Sequence, residues 1–556
     1  MFSPRFPSSK LAFFALLFFA AATAAFADPT ITVIAPKTGS NSGSPVFYEA
    51  YATSSCANGI AAMRIYRGPN DGVFTVNGGH LETFVYLKPG SYNTVVQAWD
   101  NCGGVAKVPV AVSVSSTALV SVFLPSGSST SSPVHFAASA QNPDCPAGIA
   151  AMRIYTSWGF TPYTVDSNEL DAFVLLKAET YYATIQAWDN CGNVFKSNFT
   201  LQSTGGDSDS HVYTNSQTGV ISQFDSNNGT LSNPNGSGNP PQVQSAAGGN
   251  TIAVDPGGRF AYSAALGGVF GFQINASTGA LTPAEGSPYL LSNPDLVIAD
   301  PTGNFVYAIY NGLKSIASFN INRSNGELSL TADLTPGGLF TALSTDPYGE
   351  YLYAATNAGQ IYGFAVNQNV GSLAPVPGSP FTIPGATYAF ALSAGYQYLY
   401  AGISNGPGNQ VYGYQIQYNS GTLTPVPGNP YSSSGTVFDS QSVLADWLTR
   451  YLWTANQASN SNQNYFWEFD IDGYTGAMGP ATYISTGSSN ASYMAEGYGG
   501  QVVYTAGSSC GPVTCVPGTA DSWTINGSGA LEHLSGPLNL GTNNPTGIAV
   551  ARKTPE

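Results

Sequence analysis

The sequence predicts an all-β protein made of two successive kinds of repeat, and three observations carry that expectation. The first is composition. Of 556 residues, 43% are hydrophobic and 12% aromatic but only 8% charged, and 33 Tyr and 29 Phe stand against 5 Met. Such a chain has ample core material and few helix formers. The second is a duplication near the N-terminus, whose landmarks share one offset of 89 residues. The third is a strand-and-turn unit that recurs seven times at spacings of 45 to 55 residues in the remainder.

Residues 1–27 read as an export signal. Arg5 and Lys10 form a positive start, Leu11 to Ala22 is apolar, and Ala25-Phe26-Ala27 fits a small-x-small cleavage site. The alternative is an uncleaved membrane anchor. Cleavage before Asp28 moves the formal charge from −15 to −17. No other stretch is long and apolar enough to span a bilayer. An acidic chain without a basic patch is a poor partner for nucleic acid. The expected location is therefore extracytoplasmic: secreted, periplasmic or at the cell surface.

The six cysteines form three local pairs: Cys56 with Cys102, Cys145 with Cys191, and Cys510 with Cys515. An even count in an exported chain favours disulfides. Metal binding is the competing use, but no His or Cys cluster stands at ligand spacing, so no metal site and no cofactor is expected.

Residues 28–116 and 117–203 are the duplicated modules. CANGIAAMRIY from Cys56 matches CPAGIAAMRIY from Cys145, and VVQAWDNCGG from Val95 matches TIQAWDNCGN from Thr184. Each copy alternates in the manner of short strands separated by Gly, Pro, Asn and Asp turns. About 90 residues, roughly seven strands and a bridge beside a Trp suit an immunoglobulin-like sandwich. The pair resembles the bacterial Ig-like repeats of exported proteins. Trp99 and Trp188 sit at alternating strand positions that suit the core. Residues 204–210 read as a polar linker.

From residue 211 to 553 two series keep time. The aromatics Tyr213, Tyr262, Tyr307, Tyr353, Tyr400, Trp453 and Tyr504 centre one strand of each unit. Gly229, Gly279, Gly326, Gly371, Gly421, Gly476 and Gly529 mark a turn before Leu or Met. Stacking such small sheets radially buries their apolar faces, which is the logic of a β-propeller. The strand preceding each aromatic is found six times (TIAVDP, LVIADP, TALSTDP, AFALSA, SVLADW, YMAEGY), and the first sheet lacks its own. PTGIAVAR, from Pro545 to Arg552, supplies it, so the C-terminal strand closes a seven-bladed ring. The repeat Asp-Pro-x-Gly with GALTPAEGSP, GSLAPVPGSP and GTLTPVPGNP resembles the seven-bladed propellers of the lactonase family, 6-phosphogluconolactonase-like and YVTN-type, over about three-fifths of the chain.

That resemblance implies a lactone hydrolase using His, Glu and Arg around the central channel. Lactone opening needs a base for water and a donor for the oxyanion. This chain departs from the pattern. Its propeller histidines are His211, near the linker, and His533, on an outer strand. Asp255, Asp300 and Asp346 stand in Asp-Pro turns, where Asp bonds a nearby amide. No catalytic set is assignable. Glu496, after an inner strand, is the one acid whose position reaches toward the channel. Ligand-contact candidates lie on loops of the opposite face: Tyr310, Asn357, Asn405 and Asn456, neutral amides beside an aromatic that suit an uncharged ligand. The expectation is an exported binding or surface-interaction protein, with a small molecule, glycan or protein as partner. A lactonase is the alternative.

Overall fold

The computed structural model describes residues 28–553 except 57, 157–162, 207–208, 237, 249–250, 405–408, 433–438, 458–463, 487–490, 509–517 and 542–544. Among the described residues the chain is all strand and turn, with no helix. The export signal and the Cys510–Cys515 pair lie outside them.

Each N-terminal module is a two-sheet sandwich. In the first, a three-stranded sheet (Thr30–Ala35, Val46–Thr53, His80–Val85) faces a five-stranded sheet that includes Ile60–Gly68, Gly90–Asp100 and Val105–Val114. The second repeats the arrangement, with Leu119–Leu124, Val134–Gln141 and Glu169–Val174 as its three-stranded sheet. Alternation decides the cores: Phe47, Met63, Ile65 and Val96 in one, Phe136, Met152, Ile154 and Ile185 in the other, all buried. Trp99 and Trp188 are not among these core residues. They alternate with the buried Ala98 and Ala187 and so fall on the outer sheet face, half-buried, with Arg64 and Arg153 each 5.7 Å from the ring centre.

The Trp-Asp-Asn-Cys-Gly/Asn landmark is a strand-to-turn cap. Asp100 Oδ1 accepts the amides of Cys102 (3.0 Å) and Gly104 (2.7 Å), and Asp189 Oδ1 accepts those of Cys191 (3.0 Å) and Asn193 (2.7 Å). Asn101 and Asn190 donate across to the carbonyls of Asn58 and Ala147. Disulfides then join Cys56 to Cys102 and Cys145 to Cys191, with Cα separations of 5.8 and 5.9 Å.

Seven antiparallel sheets follow, which we call blades 1 (210–244 with 545–552), 2 (251–290), 3 (296–334), 4 (340–382), 5 (388–432), 6 (439–485) and 7 (493–539). Each inner strand neighbours the next, and Pro545–Arg552 lies between the inner strands of blades 7 and 2. That C-terminal strand pairs with Ser210–Ser216, from Ser210 opposite Arg552 to Ser216 opposite Pro545. The ring is a β-propeller closed by its last strand, as the missing first strand of blade 1 required.

The two sequence series turn out to be two ends of one contact. Tyr213 Oη donates to the Gly279 carbonyl at 2.7 Å, Tyr262 to Gly326 at 3.0 Å, Tyr353 to Gly421 at 2.8 Å and Tyr400 to Gly476 at 3.0 Å. Trp453 Nε1 does the same to Gly529 at 3.2 Å. Every one of these bonds crosses from a blade to its successor. Tyr504 closes the circle on blade 1 through Ser226 Oγ at 2.7 Å, while Tyr307 instead reaches Asp300 in its own blade.

The sandwiches dock on the face that carries the Asp-Pro turns. The second sandwich touches six blades there: Arg552 bonds the Pro133 carbonyl, Phe173 lies against Arg259, the Phe173 amide bonds the Thr302 carbonyl, and Asn369 bonds the Asp166 carbonyl. Lys177 lies over Tyr396 of blade 5, and Gly206 abuts the Tyr498 carbonyl of blade 7. Strand Val194–Gly206 ends the sandwich and Ser210–Ser216 begins the ring, so little chain separates them.

Candidate functional site

On the loop face the second strands end in the residues expected to meet a ligand. Tyr310 closes Phe305–Tyr310, and its hydroxyl donates to Asp333. Burial, with Asp333 beside it, pushes that phenol up to about 12. Asn357 follows Tyr351–Thr356 and is exposed, its amide held by the Leu339 carbonyl at 2.9 Å. Asn456 is 2% exposed, and its side-chain amide donates to the carbonyl and hydroxyl of Thr454, both at 2.9 Å. Asn215, at the matching place in blade 1, is likewise buried and reaches Ser263 Oγ of blade 2 at 2.9 Å. The topology thus brings Tyr310, Asn357 and Asn456 to one face. Asn405 lies outside the described residues.

On the turn face, the aspartates cap their own turns. Asp255 Oδ1 accepts the amides of Arg259 and Phe260, both at 2.7 Å, Asp300 Oδ1 accepts Thr302 N at 2.8 Å, and Asp346 Oδ1 accepts Tyr351 N at 2.6 Å. Asp446, without a following Pro, does the same to Leu448 at 3.1 Å and holds Arg450 Nε at 2.5 Å. Glu496 lies between blades 7 and 6, where its Oε2 accepts Trp447 N at 3.0 Å. Burial and the neighbouring Asp446 carboxylate push its carboxyl well above the ordinary range. A cleft of about 360 Å³ opens between the second sandwich and blades 4 and 5, lined by Arg153, Asp166, Glu350, Gln368, Asn369 and Tyr418 among others. Burial and Asp346 raise Glu350 there to about 8.

A dense polar cluster lies at the docking seam, and sequence reading missed it. The three-stranded sheets of both sandwiches turn polar outer faces to the ring. Glu49 pairs across the sheet with Glu82, and Tyr51 with His80. Asp171 lies 89 residues after Glu82, at the offset of the duplicated landmarks. Glu82 meets Arg259 of blade 2 and, at 3.5 Å, Arg323 of blade 3. Arg323 also pairs with Asp171, and His135 Nε2 lies 2.7 Å from Asp171 Oδ1. Glu49, Glu82, His135 and Arg259 are all buried. Burial lowers His80 and His135 to about 4 and raises Glu49 to about 7. Burial alone raises Glu82, but the Arg259 guanidinium and its neighbours hold it below the usual carboxylate range. The legible signal was the shared 89-residue offset of two acids on strands whose outer face needs no charge.

The propeller's histidines and arginines are all engaged in holding the architecture. His211 is buried between Asp225 Oδ1 at 2.7 Å and the Ala276 carbonyl at 3.1 Å, and His533 Nε2 lies 3.1 Å from Asp521 Oδ1 on the outer strands. Arg259 and Arg323 bind the sandwiches' carboxylates, Arg450 holds Asp446 and the Gly500 carbonyl, and Arg552 bonds Pro133 and Ser131.

Residues 261–375 match the family described as Lactonase, 7-bladed beta-propeller. No curated protein matches. Among solved structures, a putative 6-phosphogluconolactonase from Bacteroides fragilis is 15% identical, aligning over 62% of this chain and 98% of its own with a TM-score of 0.49. The periplasmic gluconolactonase of Pseudomonas aeruginosa is 14% identical over 62% of this chain and 99% of its own, TM-score 0.49. A protein from Lactobacillus plantarum gives 14%, 62%, 99% and 0.48.

Proposed function

We propose that this is an exported binding or surface-interaction protein, in which two immunoglobulin-like modules carry a lactonase-type propeller whose free loop face meets the ligand. One observation carries the reading: every His and Arg of the propeller that lactone opening would draw on is spent on a strand, turn or docking contact. The two disulfides support export, since such bonds persist in oxidising compartments. Among the described residues no helix is long and apolar enough to cross a membrane. The partner is an uncharged small molecule, a glycan or a protein surface, because the candidate contact residues Tyr310, Asn357 and Asn456 are an aromatic and two neutral amides.

The test pairs two assays on the mature protein. Sugar and aliphatic lactones, with and without calcium, are expected to give no turnover above the buffer rate, while glycan and peptide arrays give binding that Asn357→Ala weakens. Lactone turnover abolished by Glu496→Gln or by a loop-face substitution overturns the reading. It would favour the second one, a lactone hydrolase, for which the family match over residues 261–375 speaks.

A further inference from the structure

Buried nitrogen and oxygen atoms face each other at the seam beyond hydrogen-bonding distance. The Asp171 carboxylate can only accept, so the 2.7 Å contact assigns the proton of His135 to Nε2. His135 Nδ1 is then a lone pair. It points at Glu49 Oε2 from 3.7 Å, and neither atom has a hydrogen-bond partner. The two side chains are 2% and 1% exposed. A shared proton would draw such a pair to about 2.7 Å. On the other side of Glu49, His80 Nε2 lies 3.7 Å from Glu49 Oε1 and 3.5 Å from Glu82 Oε2, again without a hydrogen bond. Glu49, His80 and Glu82 offer ligand atoms that all lie within 4.8 Å of one another. A tetrahedral ion with bonds of about 2.0–2.1 Å sets its donors about 3.4 Å apart. Separations of 3.5 to 3.7 Å are thus too long for hydrogen bonds and near the edge of a coordination shell.

Charge points the same way. Glu49, Glu82, Asp171 and Asp255 meet only two guanidiniums, those of Arg259 and Arg323. Four carboxyl groups against two guanidiniums is an arrangement that a bound cation would compensate, since uncompensated buried charge is costly. Mixed imidazole and carboxylate donors suit a divalent transition ion better than calcium or magnesium, which take oxygen shells.

We propose that Glu49, His80 and Glu82 bind one divalent transition-metal ion, and that His135, which here faces the other Glu49 oxygen at 3.7 Å and stands outside that donor group, moves in from the second sandwich to complete its shell. Asp171 then orients His135, as carboxylates do behind metal-bound imidazoles. Stacking fixes both rings, His80 on Tyr51 and His135 on Phe173, each at 4.5 Å between centroids. The ion joins the two sandwiches, and Glu82 passes the connection to blades 2 and 3 through Arg259 and Arg323. It is a structural clamp, closed by protein donors, rather than an open catalytic site.

The experiment uses the mature full-length protein purified without a histidine tag and stripped with a chelator. Titration with Zn²⁺ is expected to show one equivalent bound and a higher melting temperature, with Ca²⁺ and Mg²⁺ ineffective. Co²⁺ is expected to give the visible absorption of a four-coordinate nitrogen–oxygen site. His80→Gln and Glu49→Gln abolish uptake, and Asp171→Asn weakens it roughly 10- to 100-fold. Stripped protein that takes up no Zn²⁺ or Co²⁺ and melts unchanged overturns the proposal, and leaves protonated imidazoles as what balances the cluster. Full uptake by His80→Gln also overturns it. Should the variants fail to fold, the Co²⁺ spectrum of the unmutated protein decides alone: four-coordinate bands support the site, and their absence sinks it.

Discussion

A glycine carbonyl sits at the centre of five inter-blade contacts, and its residue type has two separate causes. Gly421, Gly476 and Gly529 have φ of 68°, 69° and 87°, a region that penalises side chains. A Cβ at Gly529 would also stand 2.1 Å from the Tyr451 ring, whereas one at Gly236, with φ of 68°, would meet nothing within 4 Å. Gly236→Ala is therefore expected to cost about 1 kcal/mol, the conformational part alone. Gly529→Ala adds overpacking and is expected to cost about 2–5 kcal/mol. Chemical denaturation of both variants separates the terms, and equal losses would refute the packing part. Removing only the hydroxyl, as in Tyr400→Phe, strands a buried carbonyl and should cost about 1–3 kcal/mol.

Titration is also a residue-scale matter. Glu468 is buried on the third strand of blade 6, where desolvation and Asp470 raise it from 4.5 to about 7. A carboxyl with a raised folded pKa binds more protons folded than unfolded between those values. Its contribution is therefore favourable at and below pH 4.5 and is lost as the pH climbs through 7. Glu468→Gln is expected to flatten the fall in melting temperature across that window and to stabilise the protein at pH 8. A variant with the parent's slope would show that other groups set it.

The element scale is where the sequence was most legible. Strand alternation and the two seven-fold series were enough to place the blades, because each blade repeats one local solution and its landmarks are adjacent in the chain. The missing inner strand of blade 1 was likewise readable as a count. Trp99 and Trp188 were misread, because alternation gives two faces and does not say which one is inside. The seam cluster was barely legible for a different reason, since only the 89-residue offset of Glu82 and Asp171 hints at it. Glu49, His80, Glu82, His135 and Asp171 stand on four strands of two sandwiches, and their arginine partners come from blades 2 and 3. No local pattern marks residues that only docking brings together. At this scale two outcomes are expected. Deleting residues 541–556 leaves Ser210–Ser216 unpaired on its inner side, and the product should aggregate in light scattering. A monodisperse truncation with native melting would refute the closure. Replacing Cys56 and Cys102 by Ser releases a loop of 46 residues, a loss of roughly 4 kcal/mol to the first sandwich in the chain-entropy model.

The whole molecule is held by the docking of the sandwiches on the turn face. Breaking a buried ion pair from one side leaves the other charge stranded, at about 3–5 kcal/mol. Glu82→Gln removes a shared partner of Arg259 and Arg323, which keep Asp255 and Asp171, so it is expected to loosen the sandwiches rather than unfold them. Small-angle scattering should then report a larger radius of gyration, and proteases should cut between Gly206 and Ser210. An unchanged radius would mean that apolar contacts such as Phe173 on the blade 2 and 3 turns suffice.

The second sandwich reaches turns of blades 1, 2, 3, 4, 5 and 7, on all sides of the ring's axis. An isolated ring of blades is a sleeve with two mouths. With one end stoppered, whatever enters along the axis must leave the way it came. A polysaccharide or peptide strand cannot thread through such a vessel. A long partner is therefore left the open loop-side rim to lie across.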